Sequence, residues 1–162
     1  MSIELRPEVV NKRLRIGDWE VDSVIGRMHQ SALVTLVERS SRYTSIIKVN
    51  SKEAEVVADA IIKRANELEL PLHTITGDNG TEFSNHKTIA EQLGIDFYFT
   101  HPYSSWEKGT NENTNGLIRQ YFPKGTDFNS ISEDMIKLVE NKLNNRPIKC
   151  LNFKRPSDFL KV

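Results

Sequence analysis

Apolar residues recur along this chain with two different spacings, and the spacings lay out its elements. Over residues 19–25, Trp19, Val21, Ser23 and Ile25 alternate with Glu20, Asp22 and Val24, the two-residue period of a strand. Residues 32–37 (ALVTLV) are a nearly continuous apolar run, as expected of a central strand covered on both faces. Residues 43–49 read as a third strand. The links GRMHQS and ERSSR carry turn and polar residues, so the three strands form an antiparallel meander. Over residues 52–69 the spacing becomes helical, with Ala54, Val57, Ala58, Ile61, Ala65 and Leu68 on one face. Asn50 or Ser51 is the expected cap and Pro71 the stop. Residues 73–76 make a short strand that ends in GDNG. Residues 87–93 make a short helix closed by Gly94, and residues 95–100 a fifth strand. After the loop HPYSSWEKGTNEN a helix runs through Tyr121, and a last one spans residues 131–145. Ser130 and Glu133 read as a capping box for that helix, which Pro147 ends. The helix between strands four and five makes a βαβ unit and implies parallel pairing. The pattern predicts an α/β fold: a mixed sheet of five strands flanked by helices.

Composition narrows the class. With 162 residues, 38% hydrophobic and 27% charged, the chain fits one globular domain and excludes disorder throughout. Residues 1–16 stand apart as a basic lead-in arm carrying Arg6, Lys12, Arg13 and Arg15, either a frayed terminus or a phosphate-contacting approach to the core at 17–162. Lys plus Arg and Asp plus Glu both number 22. That balance excludes a protein that grips nucleic acid over its whole surface but leaves room for a local basic patch. A single cysteine, Cys150, allows neither an internal disulfide nor a thiolate zinc cluster. Neither a signal peptide nor a membrane-length apolar run is present, so a cytoplasmic protein with no membrane partner is expected.

Three carboxylates stand where structure alone would not choose them. Asp22 lies mid-strand, where Asp is disfavoured; it is either a partly buried charge needing a partner or a water-facing residue of an edge strand. Asp78 follows the fourth strand in GDNG. That is ordinary turn chemistry, but it is also the carboxyl end of a parallel strand, where open α/β sheets place ligands. Glu112 lies in GTNENTNG and suits the first turn of a helix. Brought to one sheet edge, the three would repel unless a cation joined them. Oxygen donors without a Cys or His cluster point to Mg²⁺ or Mn²⁺, and a pair of such ions is a known phosphoryl-transfer device. His29, His73, His86 and His101 show no metal spacing and read as structural. The sequon Asn79-Gly80-Thr81 reads as chance. Lys108, Arg119 and Lys124 flank Glu112 and are either a solvated face or cations for a DNA backbone.

These strings form a familiar set. WEVDSVIG, ALVTLVERSSRYT, TITGDNGTEF and the long block HPYSSWEKGTNENTNGLIRQYFPKGTDF, followed by LNNRPIKCLNFKRPSDFL, resemble the catalytic core of bacterial DDE transposases over about residues 15–160. The resemblance is to the insertion-sequence-30 type, within the retroviral-integrase-like superfamily. It implies a ribonuclease-H-like fold with three antiparallel and two parallel strands. It makes Asp22, Asp78 and Glu112 both catalytic residues and metal ligands, with 33 residues between the last two. Asp22 and Asp78 would serve both ions or their shared bridge, and Glu112 the second ion.

Arg119 falls where relatives carry a DNA-contacting base, and residues 102–109 fall on a loop that shapes the DNA channel; Tyr103 and Trp106 there would stack on unpaired bases or pack in the core. The implied chemistry is cleavage of a phosphodiester by water, then attack of the freed 3′-hydroxyl on target DNA. The implied partners are transposon ends, target DNA and at least one further copy of the chain. The resemblance leaves two rivals, a same-fold metal-dependent nuclease using water alone and an inactive remnant. Family members carry an N-terminal helix-turn-helix region that this chain, starting just before the core, does not show. Sequence-specific end recognition is therefore not expected of it, and a neutral domain should bind DNA weakly and in a salt-sensitive way.

Overall fold

A computed structural model describes residues 1–101 and 109–160. In chain order the elements are α1 (Glu8–Asn11), β1 (Asp18–Ile25), β2 (Ala32–Glu38), β3 (Thr44–Val49), α2 (Ala54–Glu67), β4 (Thr74–Gly77), α3 (His86–Leu93), β5 (Asp96–Phe99), α4 (Gly109–Tyr121) and α5 (Glu133–Asn144). The five strands form one sheet in the order β3-β2-β1-β4-β5. β1, β2 and β3 pair antiparallel, while β1–β4 and β4–β5 pair parallel. Every strand lies within one residue of the span its apolar spacing predicts at the start and within one at the end.

Alternation along β1 sends Trp19 and Val21 to one side of the sheet and Val24 to the other. On the first side they join Val34, Leu36 and Ile75 against Val57 and Ile61 of α2 and Ile89 of α3. On the second side Val24, Leu33 and Ile46 meet Ile118 and Phe122 of α4, Phe128, and Ile136, Val139 and Leu143 of α5.

Both caps differ from expectation. Glu53, not Asn50 or Ser51, is the N-cap of α2 and makes no side-chain cap bond; the Ser51 hydroxyl accepts from the Glu53 N–H instead. The cap of α5 is Ser132, whose hydroxyl accepts from Met135 N–H at 3.1 Å. Ser130 is held in a preceding 3-10 turn, where Asp127 caps Asn129 and the Ser130 hydroxyl donates to the Asp127 carbonyl.

The free edge of β3 is closed by α5. Asn144 accepts from Thr44 N–H and donates to its carbonyl, both at 2.8 Å, and Glu140 accepts from Ile46 N–H at 2.8 Å. One helix turn thus imitates a sixth strand and removes an exposed ladder edge. At the opposite edge Ser2 forms a parallel bridge to Phe99 of β5. Residues 1–16 are docked rather than frayed: Ile3 and Val10 are buried, Arg6 donates to Thr76 Oγ1, and Arg15 grips Asp18 with two hydrogen bonds.

Candidate active site

β1 is the third of the five strands, so Asp22 is not on an edge. The alternation that puts Val24 on the α4/α5 side puts Asp18, Glu20 and Asp22 there too. Asp18 and Glu20 are buried. Asp18 is held by Arg15 and by Thr74 Oγ1, and Glu20 by Arg39 at 2.8 Å. Asp22, partly exposed, accepts from Ser23 N–H at 2.8 Å and from Asn115 Nδ2 of α4 at 3.0 Å.

Register brings Asp78 to the same place. β1 and β4 run parallel with Glu20 opposite Thr76. Asp22 and Asp78 lie two residues beyond that last pair along their chains, Asp78 just past the end of β4. Asp78 also accepts from Gly80 N–H at 2.9 Å. It is therefore both a turn residue and the residue at the carboxyl end of a parallel strand.

Glu112 arrives on α4. Asn111, Asn115 and Ile118 turn this helix toward the sheet: Thr35 Oγ1 donates to Asn111 Oδ1 at 3.2 Å, and Ile118 is fully buried. Glu112 lies three residues before Asn115, hence beside it on the helix surface, and is exposed. The sequence GTNENTNG is poor helix material, and its first turn is fastened by charge. Glu20 Oε1 accepts from Asn111 N–H at 3.4 Å, and Thr110 Oγ1 accepts from both Arg13 and Arg42. Among the described residues the buried Asn111 Nδ2 meets no hydrogen-bond partner.

The structure therefore links Asp22 to the Glu112 turn through Asn115 and puts Asp78 just past the end of the strand that pairs with β1. It does not close the three into a ligand set. Among the described residues no three His, Cys, Asp or Glu side chains are gathered tightly enough to hold a metal ion. The donor chemistry, oxygen only, suits a hard divalent cation, and carboxylates without that cation are driven apart by their own charge.

The expected cations are placed unequally. Arg119 gives its N–H groups to the carbonyls of Ile25 (2.7 Å), Phe122 and Pro123, and burial lowers its pKa. Lys124 is exposed. Lys108, Tyr103 and Trp106 lie outside the described residues. His86 stacks on Phe97 and Phe99 with its pKa lowered by burial, and His101 meets Glu4 at the surface.

Sequence reasoning passed over Glu20, Arg39, Thr35, Asn111 and Asn115, the residues that fix α4 on β1. One signal was available: Glu20 and Asp22 are two acids at strand period in a central strand, on the side of the sheet that α4 must cover.

Residues 13–105 match the family described as Integrase core domain. The transposase for insertion sequence element IS4351 of Bacteroides fragilis is 47% identical over 161 residues, covering 99% of this chain and 49% of the relative. Transposase InsI for insertion sequence element IS30A of Escherichia coli K12 is 40% identical over 159 residues, covering 98% of this chain and 41% of the relative. The chain thus spans about half the length of the curated relatives it matches.

Two solved structures share the architecture. A chain of the simian T-cell lymphotropic virus intasome superposes with a TM-score of 0.70 at 19% identity, covering 90% of this chain and 54% of that one. The catalytic core domain of BIV integrase gives 0.66 at 18% identity, covering 88% and 92%. That likeness fixes the fold as ribonuclease-H-like, in agreement with the sheet order found here. From its family match over residues 13–105, relatives that align with nearly all of its length, and this sheet, the chain belongs to the integrase core domain family.

Proposed function

We propose that this chain is the catalytic part of a DNA transposase, with Asp22, Asp78 and Glu112 as its reacting-site carboxylates. The carrying observation is that Asn115, three residues along α4 from Glu112, donates to Asp22 on the central strand, whose parallel neighbour β4 carries Asp78 just past its carboxyl end. Family membership implies a divalent cation in general; the finer reading is two Mg²⁺ or Mn²⁺ ions, which Asp22, Asp78 and Glu112 would hold. Such ions would supply activation of the attacking oxygen and stabilisation of the leaving one. The chain's own residues orient the carboxylates. Asn115 and Ser23 N–H hold Asp22, Gly80 N–H holds Asp78, and the Glu20–Arg39 pair under Asn111 holds the turn that carries Glu112.

The reaction read from this site is hydrolysis of a phosphodiester at an element end, then in-line attack of the freed 3′-hydroxyl on target DNA. The family implies DNA as partner and an oligomeric assembly; at least two copies of the chain, transposon ends and target DNA are the finer proposal. Lys124, and Lys108 beside the site in sequence, are proposed to meet backbone phosphates. Arg119, proposed for the same role, also ties the end of α4 to the carbonyls of Ile25, Phe122 and Pro123. No helix among the described residues is long and apolar enough to cross a membrane, and cytoplasmic action on DNA is the reading that accompanies this function.

The test is strand transfer by this chain with Mn²⁺, a labelled duplex ending in a recessed 3′-hydroxyl, and a supercoiled plasmid. Joined product is expected from the wild type. Asp22→Asn, Asp78→Asn and Glu112→Gln should each lose several kcal/mol of transition-state stabilisation, about a thousandfold in rate. Shortened or nicked DNA without joined product would favour a nuclease. Activity that survives all three substitutions would reject the site.

A further inference from the structure

Four guanidinium groups crowd around the start of α4, and only two of them meet a carboxylate among the described residues. Arg39 is paired with buried Glu20 at 2.8 Å, and Arg13 stands 4.0 Å from the same carboxylate. Arg42 and Arg146 meet no carboxylate among the described residues. Arg42 donates to Thr110 Oγ1 at 2.9 Å and Arg146 to the Leu143 carbonyl at 2.8 Å. Like charges gathered this way are unfavourable unless an anion joins them. The crowding is visible in Arg13, whose pKa is brought down to about 10 by burial first and then by Arg39 and Arg42. Arg146 is lowered as well, by burial first and with Arg42 contributing.

The geometry gives these groups a receptacle. A cavity of about 180 Å³ is lined by Arg42, Thr110, Asn113, Thr114 and Arg146 among others, room for about six waters at ~30 Å³ each. Arg42 reaches it from the β2–β3 turn, where its φ is +64°, a left-handed conformation uncommon for a long side chain. Its backbone N–H is tied to the Glu38 carbonyl at 2.9 Å, so the turn holds that conformation and sets the guanidinium over Thr110. Arg146 enters from the chain leaving α5. Three separate segments, the β2–β3 turn, the start of α4 and the chain leaving α5, therefore line one hollow. Asn113 on its wall directly follows Glu112, so the hollow and that carboxylate share the first turns of α4.

We propose that Arg42 and Arg146, with Arg13 and Thr110 behind them, seat a phosphate of the DNA backbone beside the first turn of α4. The proposal rests on the transposase reading for the identity of the polyanion and deepens it by giving DNA a path. A strand engaged at Asp22 and Asp78 crosses the exposed side of Glu112 and reaches this hollow on the far flank of the helix. Guanidinium is the right group for the task, since its planar fork matches two phosphate oxygens at once. Because the chain has no net charge, a local site of this kind is where its DNA affinity would be concentrated.

The experiment is equilibrium binding of this chain to a short labelled duplex in EDTA, from 50 to 200 mM salt. Wild type is compared with Arg42→Gln, Arg146→Gln and, as a remote loss of charge, Lys63→Gln on the exposed side of α2. Each arginine change should weaken binding about tenfold and lower the salt slope by about one. Lys63→Gln should move neither by as much as half of that. Arg42→Lys should keep the slope while losing part of the affinity, which mere loss of structure would not produce. If Arg146→Gln fails to fold, Arg42→Gln decides alone, since Arg42 lies on a surface turn.

Equal affinities and slopes for wild type and the arginine variants overturn the proposal, as does wild type that binds no duplex at 50 mM salt. Inorganic phosphate forms a separate arm. If it raises the melting temperature of wild type but not of Arg42→Gln while DNA binding is unchanged, the hollow takes free phosphate and the DNA assignment falls. Strand transfer separates this inference from the reading beneath it. Joining without arginine-dependent binding rejects only the phosphate seat, and arginine-dependent binding without joining rejects only the transposase chemistry.

Discussion

The two faces of the sheet are built on opposite plans. The α2/α3 face is apolar wherever it is deep: Trp19, Val21, Val34, Leu36 and Ile75 interlock with α2 and α3. The α4/α5 face is apolar through Val24 near the end of β1, Leu33 of β2 and Ile46 of β3. Along β1 it carries Asp18, Glu20 and Asp22 in succession. Burial of area holds the first face together, at roughly 25 cal/mol per Å². The second depends on every buried charge finding a partner, because an unpaired one costs more than any single apolar contact returns. A fold of this size tolerates such a face because the other one is conventional, and the tolerant face is where carboxylates can sit half-exposed and be used.

The sharpest way to break this contrast is to remove one member of the buried pair. Glu20→Ala leaves Arg39 buried without its carboxylate and takes the acceptor from Asn111 N–H. A loss of about 3–5 kcal/mol is expected, read from urea unfolding midpoints. The double variant Glu20→Met/Arg39→Met removes both charges together and should recover most of that stability. It should not recover strand transfer, because the first turn of α4 has lost what positions Glu112. A single variant that loses less than about 1 kcal/mol would mean the pair is solvated rather than buried.

Asn115→Ala separates positioning from folding. Its amide reaches Asp22 at 3.0 Å, so strand transfer should fall about 10–100-fold, the usual cost of losing a group that orients a metal-binding side chain. The metal concentration for half-maximal rate should rise, while the melting temperature moves little. An unchanged metal requirement would show that Asn115 packs α4 without orienting Asp22.

The contrast between faces also explains what could be read from the residues. Strand and helix positions were legible because apolar spacing records burial, and both cores are apolar where they are deep. Asp22 stood out because it breaks a strand preference; Asp78 and Glu112 obey local turn and helix-start preferences, and stood out only by their places, Asp78 at the end of a parallel strand and both within the family resemblance. The partners of these residues did not. Glu20 with Arg39 and Thr35 with Asn111 are 19 and 76 positions apart in the chain, and nothing local marks a pair that only a folded sheet brings together. The caps of α2 and α5 were misplaced for a related reason. Several Ser and Asn residues precede each helix, and the choice among them depends on the approach of the chain, which the 3-10 turn at Phe128–Ser130 sets for α5.

Ile61→Val sharpens the comparison from the apolar side. Ile61 is fully buried in the α2/α3 core. Removing one methylene should cost about 0.5–1.5 kcal/mol in the unfolding midpoint and leave strand transfer at the wild-type rate. A fall in rate beyond the loss of folded protein would mean that the two faces are coupled through the sheet.

The smallest effect is expected where the polar face meets the sheet edge, at Glu140. Its carboxylate accepts from Ile46 N–H and from Arg64, both of which favour the charged form, yet burial outweighs them and raises its pKa above the ordinary value. The native state therefore holds this proton more tightly than the unfolded chain does. Its contribution to stability is fully present below the ordinary Glu range, is lost as pH rises through the raised native value, and is constant above that. Unfolding midpoints from pH 4 to 7 should show wild type losing ground to Glu140→Gln as pH rises, over and above any fixed offset from the lost charge. The opposite slope would mean that Ile46 and Arg64 outweigh burial. The closure of β3 by α5 would then be an ion-pair clasp of the Glu20–Arg39 kind, rather than a carboxyl group retained to satisfy an edge amide.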